Sequence, residues 1–173
     1  PRISPDGTML AWTEWDHPNM PWDGTELKVA DLASDGTISN VRTVAGGPEE
    51  SVVQPEWSPQ GVLHFISDRT GWWNLYRRGG DSEDLALAPM EEELGGPQWS
   101  LDAAWYGFLS EGRIACVVTS RGIDRLGVID PGSGVVSTID TPFTAFSSIA
   151  TDGEDRVAVV AGGPTTPSSV VLI

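Results

Sequence analysis

Few residues in this chain could do chemistry, and most of them fall in stretches that read as loops. The run Trp15-Asp16-His17-Pro18-Asn19-Met20-Pro21-Trp22-Asp23-Gly24 holds one of the two histidines. With Asp16 and Asp23 close by, His17 has the makings of a metal ligand, a proton shuttle or a domain contact. A lone histidine beside prolines is more often a structural hydrogen-bonder, so that role is expected and no metal is assigned. Asn19, Trp22 and Asp23 are the other candidates in this run, with Trp15 expected to pack on Trp22 and close it. Arg69, Arg121 and Arg125 each carry a fork that matches a peptide carboxylate through two parallel hydrogen bonds. The competing use is a salt bridge to an adjacent acid such as Asp68 or Asp124. Trp72 and Trp73 are neighbours, and neighbours on a strand point to opposite faces. One should pack inward while the other stays open for stacking.

No nucleophile accompanies these groups. His64 sits in the middle of a strand-like run, partly buried or exposed between neighbours, with no partner to activate. Cys116 lies in the apolar run Arg113-Ile114-Ala115-Cys116-Val117-Val118 and reads as a small buried hydrophobe. The Gly-x-Ser-x-Gly elbow of α/β-hydrolases is absent from the sequence, and Pro131-Gly132-Ser133-Gly134 lacks its spacing and reads as a turn. No catalytic residue and no cofactor is therefore assigned.

The elements that must position these loops repeat along the chain. Arg2-Ile3-Ser4-Pro5-Asp6-Gly7-Thr8-Met9-Leu10-Ala11-Trp12 parallels Glu56-Trp57-Ser58-Pro59-Gln60-Gly61-Val62-Leu63-His64-Phe65-Ile66. Both read as strand, Ser-Pro-x-Gly turn, strand, with proline pre-setting φ and glycine supplying the conformation other residues resist. A third strand (27–32, then 74–77) and a fourth (41–45, then 85–88) follow each. A looser third unit runs through 104–109, 114–119, 125–130 and 135–139. A fourth runs through 146–150, 156–161 and 169–173, one strand short. The turn glycines Gly7, Gly61, Gly112 and Gly153 are 54, 51 and 41 residues apart. A four-stranded unit at that period is the signature of a β-propeller blade. The expected fold is all-β: one partial propeller domain over 1–173, with blades near 1–46, 53–89, 97–140 and 146–173. Trp12, Trp57, Phe65, Trp105, Phe108 and Phe146 are its candidate inter-blade core. Only Pro89-Met90-Glu91-Glu92-Glu93-Leu94 offers a helical turn, and Gly95-Gly96-Pro97 ends it.

Composition agrees. The 173 residues are 39% hydrophobic and include 20 glycines and 13 prolines, a mixture for short strands and many turns. The formal charge of −15 disfavours nucleic acid and anionic membranes as partners. A single cysteine suits a reducing compartment, and a cytoplasmic location is expected. Just under four blades cannot close a usual ring. The chain is therefore expected to be cut at both ends, either as part of a larger protein or as a homo-oligomer whose copies complete a ring.

Ser4-Pro5-Asp6-Gly7 resembles the repeat of TolB-like propellers. Three stretches are more specific: residues 15–23, Ser67-Asp68-Arg69-Thr70-Gly71-Trp72-Trp73-Asn74-Leu75-Tyr76, and Gly95-Gly96-Pro97-Gln98-Trp99. Together they resemble the N-terminal propeller of bacterial prolyl oligopeptidase-family serine peptidases, of the dipeptidyl or acylaminoacyl peptidase type. The resemblance implies a following α/β-hydrolase domain with a Ser-Asp-His triad, which this chain does not contain. It also implies that the propeller gates the active site and filters peptide substrates. Some such relatives capture a substrate's N-terminal amine with acidic residues. Glu91 and Glu92, with Glu93, are candidates for that, although the motif matches poorly and a solvated acidic turn is the plainer reading.

In a four-stranded blade, loops after the second strand share one face of the disc with the blade-to-blade connections. The short Pro-x-Gly turns lie on the other face. Residues 16–24, 68–73, 120–124 and 162–167, with the connection 89–96, therefore define a loop-rich working face. The alternative functions are a TolB-like interaction propeller without activity and a propeller enzyme with a central metal. The scarcity of histidine argues against the latter.

Overall fold

The structure, a computed structural model, describes residues 1–79 and 83–173. Four antiparallel sheets follow one another along the chain. The first holds β1 (Arg2–Ile3), β2 (Met9–Glu14), β3 (Thr25–Leu32) and β4 (Ile38–Gly47). The second holds β5 (Val52–Trp57), β6 (Leu63–Ser67), β7 (Asn74–Arg78) and β8 (Asp84–Ala86). The third holds β9 (Tyr106–Phe108), β10 (Ile114–Ser120), β11 (Ile123–Asp130) and β12 (Val135–Thr138). The fourth holds β13 (Ala145–Thr151), β14 (Val157–Gly163) and β15 (Thr166–Leu172). Each is a plain meander in which sequence neighbours pair, as in a propeller blade.

The turns explain the meander. Gly7 N–H donates to the Ser4 carbonyl at 2.9 Å and Gly61 N–H to the Ser58 carbonyl at 2.9 Å, with φ of 75° and 78° at the two glycines. The third blade has no proline at this point. Its turn is a single 3-10 turn, Ser110–Gly112, with Glu111 at φ 57°. Among the described residues this is the one helical piece, so the turn expected at 89–94 is not helical. Glu93 instead forms an isolated bridge with Thr119 of β10, which holds that segment extended.

Packing runs blade to blade. In β6, Leu63 and Phe65 face the first blade and join Ala11, Leu27, Val29, Ala45, Val52 and Tyr76. Ile66, on the opposite face of β6, packs with Leu75, Tyr106, Ile114, Cys116 and Val118 towards the third blade. In β10 the alternation repeats: Ile114, Cys116 and Val118 look back, while Ala115 and Val117 meet Phe146, Ile149, Val157 and Val159 of the fourth blade. Successive side chains of a strand point to opposite faces, so a strand between two blades is apolar throughout rather than alternating. Fully burying one such Leu, Ile or Phe contributes roughly 1.5–3 kcal/mol.

The aromatic candidates for this core divide. Phe65 and Phe146 are buried. Trp57, Trp105 and Phe108 are only half-buried against the clusters, and Trp12 belongs to none of them. The indole N–H groups of two of these tryptophans have polar partners: Trp12 Nε1 donates to Glu14 and Trp57 Nε1 to the Arg2 carbonyl. Aliphatic side chains fill most of the space between the sheets.

Polar stitches reinforce the junctions. β5 bulges between Val53 and Glu56, and buried Gln54 adopts φ 47° there. From that position Gln54 Nε2 donates to the Tyr106 carbonyl at 2.8 Å, and Trp105 N–H donates to Gln54 Oε1 at 2.6 Å. Tyr106 Oη donates to the Gln54 carbonyl at 3.0 Å. β13 carries the same bulge, between Ser147 and Ala150, with Ser148 at φ 54°.

His64 is buried, with Nδ1 2.9 Å from the Val62 carbonyl and its ring edge-on to Phe108. Burial lowers its pKa from 6.5 to about 4. Cys116 is buried likewise, and burial pushes its thiol up to about 12, which makes it an inert core residue.

Two outcomes follow. Gln54→Ala strands the Trp105 N–H and Tyr106 carbonyl and should cost about 2–3 kcal/mol, read as a lower urea midpoint at unchanged m-value. Between pH 6.5 and 4 the unfolded chain binds a proton at His64 that the folded chain refuses, so stability falls as pH falls through that window. The loss should reach on the order of 3 kcal/mol below the folded pKa, and the pH profile of His64→Leu unfolding should be flatter by that amount.

Candidate functional site

The long loop between β2 and β3 is anchored from below. The Pro21 carbonyl accepts from Thr25 Oγ1 at 2.7 Å and from Ser51 Oγ at 2.6 Å, both buried. Thr25 N–H donates to the Glu50 carbonyl at 3.0 Å, and Ser51 N–H to Asp68 Oδ1 at 2.8 Å. One chain of bonds thus ties loop 15–24, the connection 48–51 and loop 68–73 together. Within the long loop, Asp23 Oδ2 accepts from Met20 N–H at 2.8 Å, and Asn19 Nδ2 donates to the Pro48 carbonyl at 3.3 Å. Gly24 sits where a Cβ would lie 2.6 Å from the Gly47 carbonyl oxygen, so only glycine lets the two segments meet. Thr25 and Ser51, which fix this loop, carry no motif signal of their own. Their small hydroxyls matter only through burial.

His17 does not fulfil its expected role. It is exposed, has no hydrogen-bonding partner among the described residues, and precedes a cis proline. Trp15 and Trp22 do not close the loop on each other. Trp15 is exposed and walls a cleft of about 200 Å³ with Glu14, Asp16, Asn19, Glu26 and Pro48. Trp22 instead meets Trp99, from the connection between the second and third blades, with ring centroids 4.6 Å apart and tilted by 46°. Two of the three stretches that carry the family resemblance therefore touch in space.

The arginines are mostly engaged. Arg69 does not pair with Asp68. Its Nη2 lies 2.8 Å from Glu50 and its Nη1 3.0 Å from Asp84, and its guanidinium lies 4.6 Å above the Tyr76 ring. Burial works against the Arg69 charge, but Glu50 and Asp84 outweigh it and the pKa is raised. Burial raises the Asp68 carboxyl against the bond from Ser51. Arg125 does not pair with Asp124 either. It forks onto Glu92, which joins the blade connection to β11, and the fork holds the Glu92 carboxyl below its ordinary value. Asp124 accepts from Thr119 Oγ1 and from Phe146 N–H, so it ties the third blade to the fourth. Arg121 is exposed and makes no ion pair among the described residues.

The acidic trio is not a uniform solvated turn. Glu92 is ion-paired, Glu93 Oε2 accepts from Trp73 N–H at 2.9 Å, and only Glu91 is exposed. Trp73 is buried beside it, while Trp72 is partly exposed. Two of the expected working-face loops are also tighter than their sequences suggest. Ser120 pairs with Ile123 and Gly163 with Thr166, leaving two-residue hairpin turns. Arg121 at φ 52° and Gly122 at φ 77° supply the twist such a turn needs. The working face is therefore built from residues 15–24, 68–73 and the connection 87–105. Among the described residues no group of three His, Cys, Asp or Glu could hold a metal ion, and no helix is long and apolar enough to cross a membrane. The face is acidic and aromatic, with Trp15, Trp72 and Trp99 exposed.

Successive four-stranded meanders joined face to face, with elaborate loops on one side, define a β-propeller. No family model matches the chain, and no curated protein matches it. Solved structures do. The crystal structure of puromycin hydrolase matches 100% of this chain at a TM-score of 0.94 and 42% identity, with this chain covering 26% of that one. A puromycin-hydrolyzing peptidase from Mycobacterium tuberculosis matches 98% of this chain at 0.91 and 41% identity, covering 26% of that one. Prolyl oligopeptidase B from Galerina marginata shares the fold over 97% of this chain at 0.73, with 16% identity and 23% of that chain covered. The chain is a propeller portion belonging to the prolyl oligopeptidase family. It spans about a quarter of the length of these relatives.

The engaged side chains are expected to act on stability. Arg69→Ala leaves Glu50 and the nearly buried Asp84 without this cation and should cost about 2–3 kcal/mol in urea unfolding. Glu92→Gln breaks a half-exposed pair and should cost about 0.5–1 kcal/mol by the same measurement.

Proposed function

We propose that this chain is the non-catalytic propeller portion of a serine exopeptidase or oligopeptidase of the dipeptidyl or acylaminoacyl type. It works beside an α/β-hydrolase domain of the same full-length protein. The propeller gates and filters substrates, which are short peptides and small aminoacyl compounds such as puromycin. The observation that carries this reading is 42% identity to puromycin hydrolase along the whole chain. The absence of a nucleophile elbow from the chain leaves bond-breaking to the hydrolase domain. The face built by residues 15–24, 68–73 and 87–105 presents exposed aromatic and acidic groups, as a filter for uncharged or cationic substrates would. The inert, buried Cys116 is compatible with a reducing compartment, and we place the protein in the cytoplasm on that basis.

The test uses the full-length gene product. It should be labelled by a fluorophosphonate probe and should release amine from puromycin, while the 173-residue chain alone should do neither. Absence of both activities from the full-length protein would contradict the reading and favour an interaction propeller without activity.

A further inference from the structure

A groove of about 400 Å³ opens between the first and second blades, beside the short turns and away from the loop-rich face. Met9 starts β2, Trp57 ends β5, Leu63 starts β6 and Arg78 ends β7, so strand ends of both blades frame it. Its volume falls within the roughly 300–1,000 Å³ of small-molecule pockets, which are mostly apolar with a few placed polar groups. Here the apolar groups are Met9, Val29, Val44, Trp57, Val62 and Leu63. Val29 and Leu63 belong to the core between the two blades, and Met9, Val44 and Trp57 pack on that core while staying half-buried. Trp57 Nε1 donates to the Arg2 carbonyl at 3.1 Å, which fixes the indole in the wall. The groove is thus shaped by elements that the fold already holds in place.

Charge selects the occupant. The charged side chains of the lining are Arg42 and Arg78, and no acid lines the groove among the described residues. This is unusual in a chain with 25 acids against 10 lysines and arginines. Arg78 Nη1 donates to the Val44 carbonyl and to Asp84 Oδ1, which holds the guanidinium at the groove, while its Nε and Nη2 make no hydrogen bond among the described residues. Asp84 shares its other oxygen with Arg69, so it does not neutralise Arg78 alone. Arg42 is exposed, and its Nη1 lies 3.9 Å from Asp31, whose other oxygen accepts from Asn40 at 2.7 Å. A carboxylate here would gain charge-assisted hydrogen bonds from planar donors, and an apolar body attached to it would cover Val44 and Trp57. A cation would find no partner in the lining. We propose that this groove binds a small carboxylate with an apolar body, of the medium-chain fatty acid class. Its carboxylate lies on Arg42 and Arg78, and its tail lies against Trp57 and Val62. The site does not depend on the peptidase reading.

Calorimetric titration of the full-length protein with octanoate, octanol and octylamine tests the site. Octanoate should bind at a single site, octanol at least about tenfold more weakly, and the amine not at all. Arg42→Ala should weaken octanoate binding about tenfold at an unchanged thermal midpoint, and Arg42→Lys should recover part of that loss. Val62→Glu, which adds a carboxylate to the wall, should abolish binding. Absence of octanoate binding to the wild-type protein would overturn the proposal. Equal binding of all three compounds would overturn it too, because that is unselective apolar adsorption. So would octanoate binding that survives either Arg42→Ala or Val62→Glu unchanged. Binding that is lost once a fluorophosphonate has labelled the protein would place the ligand in the hydrolase domain and also overturn the groove. If the protein takes no fluorophosphonate, the peptidase reading fails separately, and the titrations of wild type and variants still decide the groove.

Discussion

Everything in this molecule depends on sheets packing face to face. A four-stranded meander has two faces and cannot bury both by itself. Here the second and third blades are each covered on both sides: β6 is buried throughout, and β10 is buried from Ile114 to Val118. The apolar contacts are mostly between aliphatic residues that are small enough for neighbouring sheets to approach closely. Hydrophobic burial is non-directional, however, and would tolerate sheets sliding over one another. Direction comes from the polar stitches. Gln54, at a bulge and in a left-handed conformation, grips the backbone of the third blade, and Asp124 does the same between the third and fourth.

The same division of labour shapes the working face. Its loops are not held by their conspicuous residues. They are held by two buried hydroxyls on one carbonyl, by a backbone bridge between Glu93 and Thr119, and by ion pairs that neutralise two of the three arginines first in line to bind a carboxylate. The face is left acidic, with tryptophans open to solvent.

The fold was legible because its determinants are local. The Ser-Pro-x-Gly turns, the apolar runs and the period of the glycines all report on residues within one blade, and the sheets follow them. The failures share the opposite cause. Arg125 meets Glu92, 33 residues away, rather than its neighbour Asp124, and Arg69 reaches Glu50 and Asp84 rather than Asp68. Nearness in sequence is a poor guide where side chains on a strand point away from each other. Trp22 finds Trp99 across two blades, which no pattern inside loop 15–24 could announce. The hairpin at Arg121–Gly122 was hidden because arginine is not a residue type that signals positive φ. His17, the most conspicuous side chain by type, turned out to stand in solvent with no partner among the described residues.

The central proposal is that one face of this propeller meets the α/β-hydrolase domain of the full-length protein, while the opposite face does not. Amide hydrogen exchange, compared between this chain alone and the full-length protein, tests it most directly. The account predicts slower exchange in the full-length protein at residues 16–24, 68–73 and 95–105, with no change at the turns 4–8 and 58–62. Equal exchange in both forms across the loops, or slowing confined to the short turns, would contradict it.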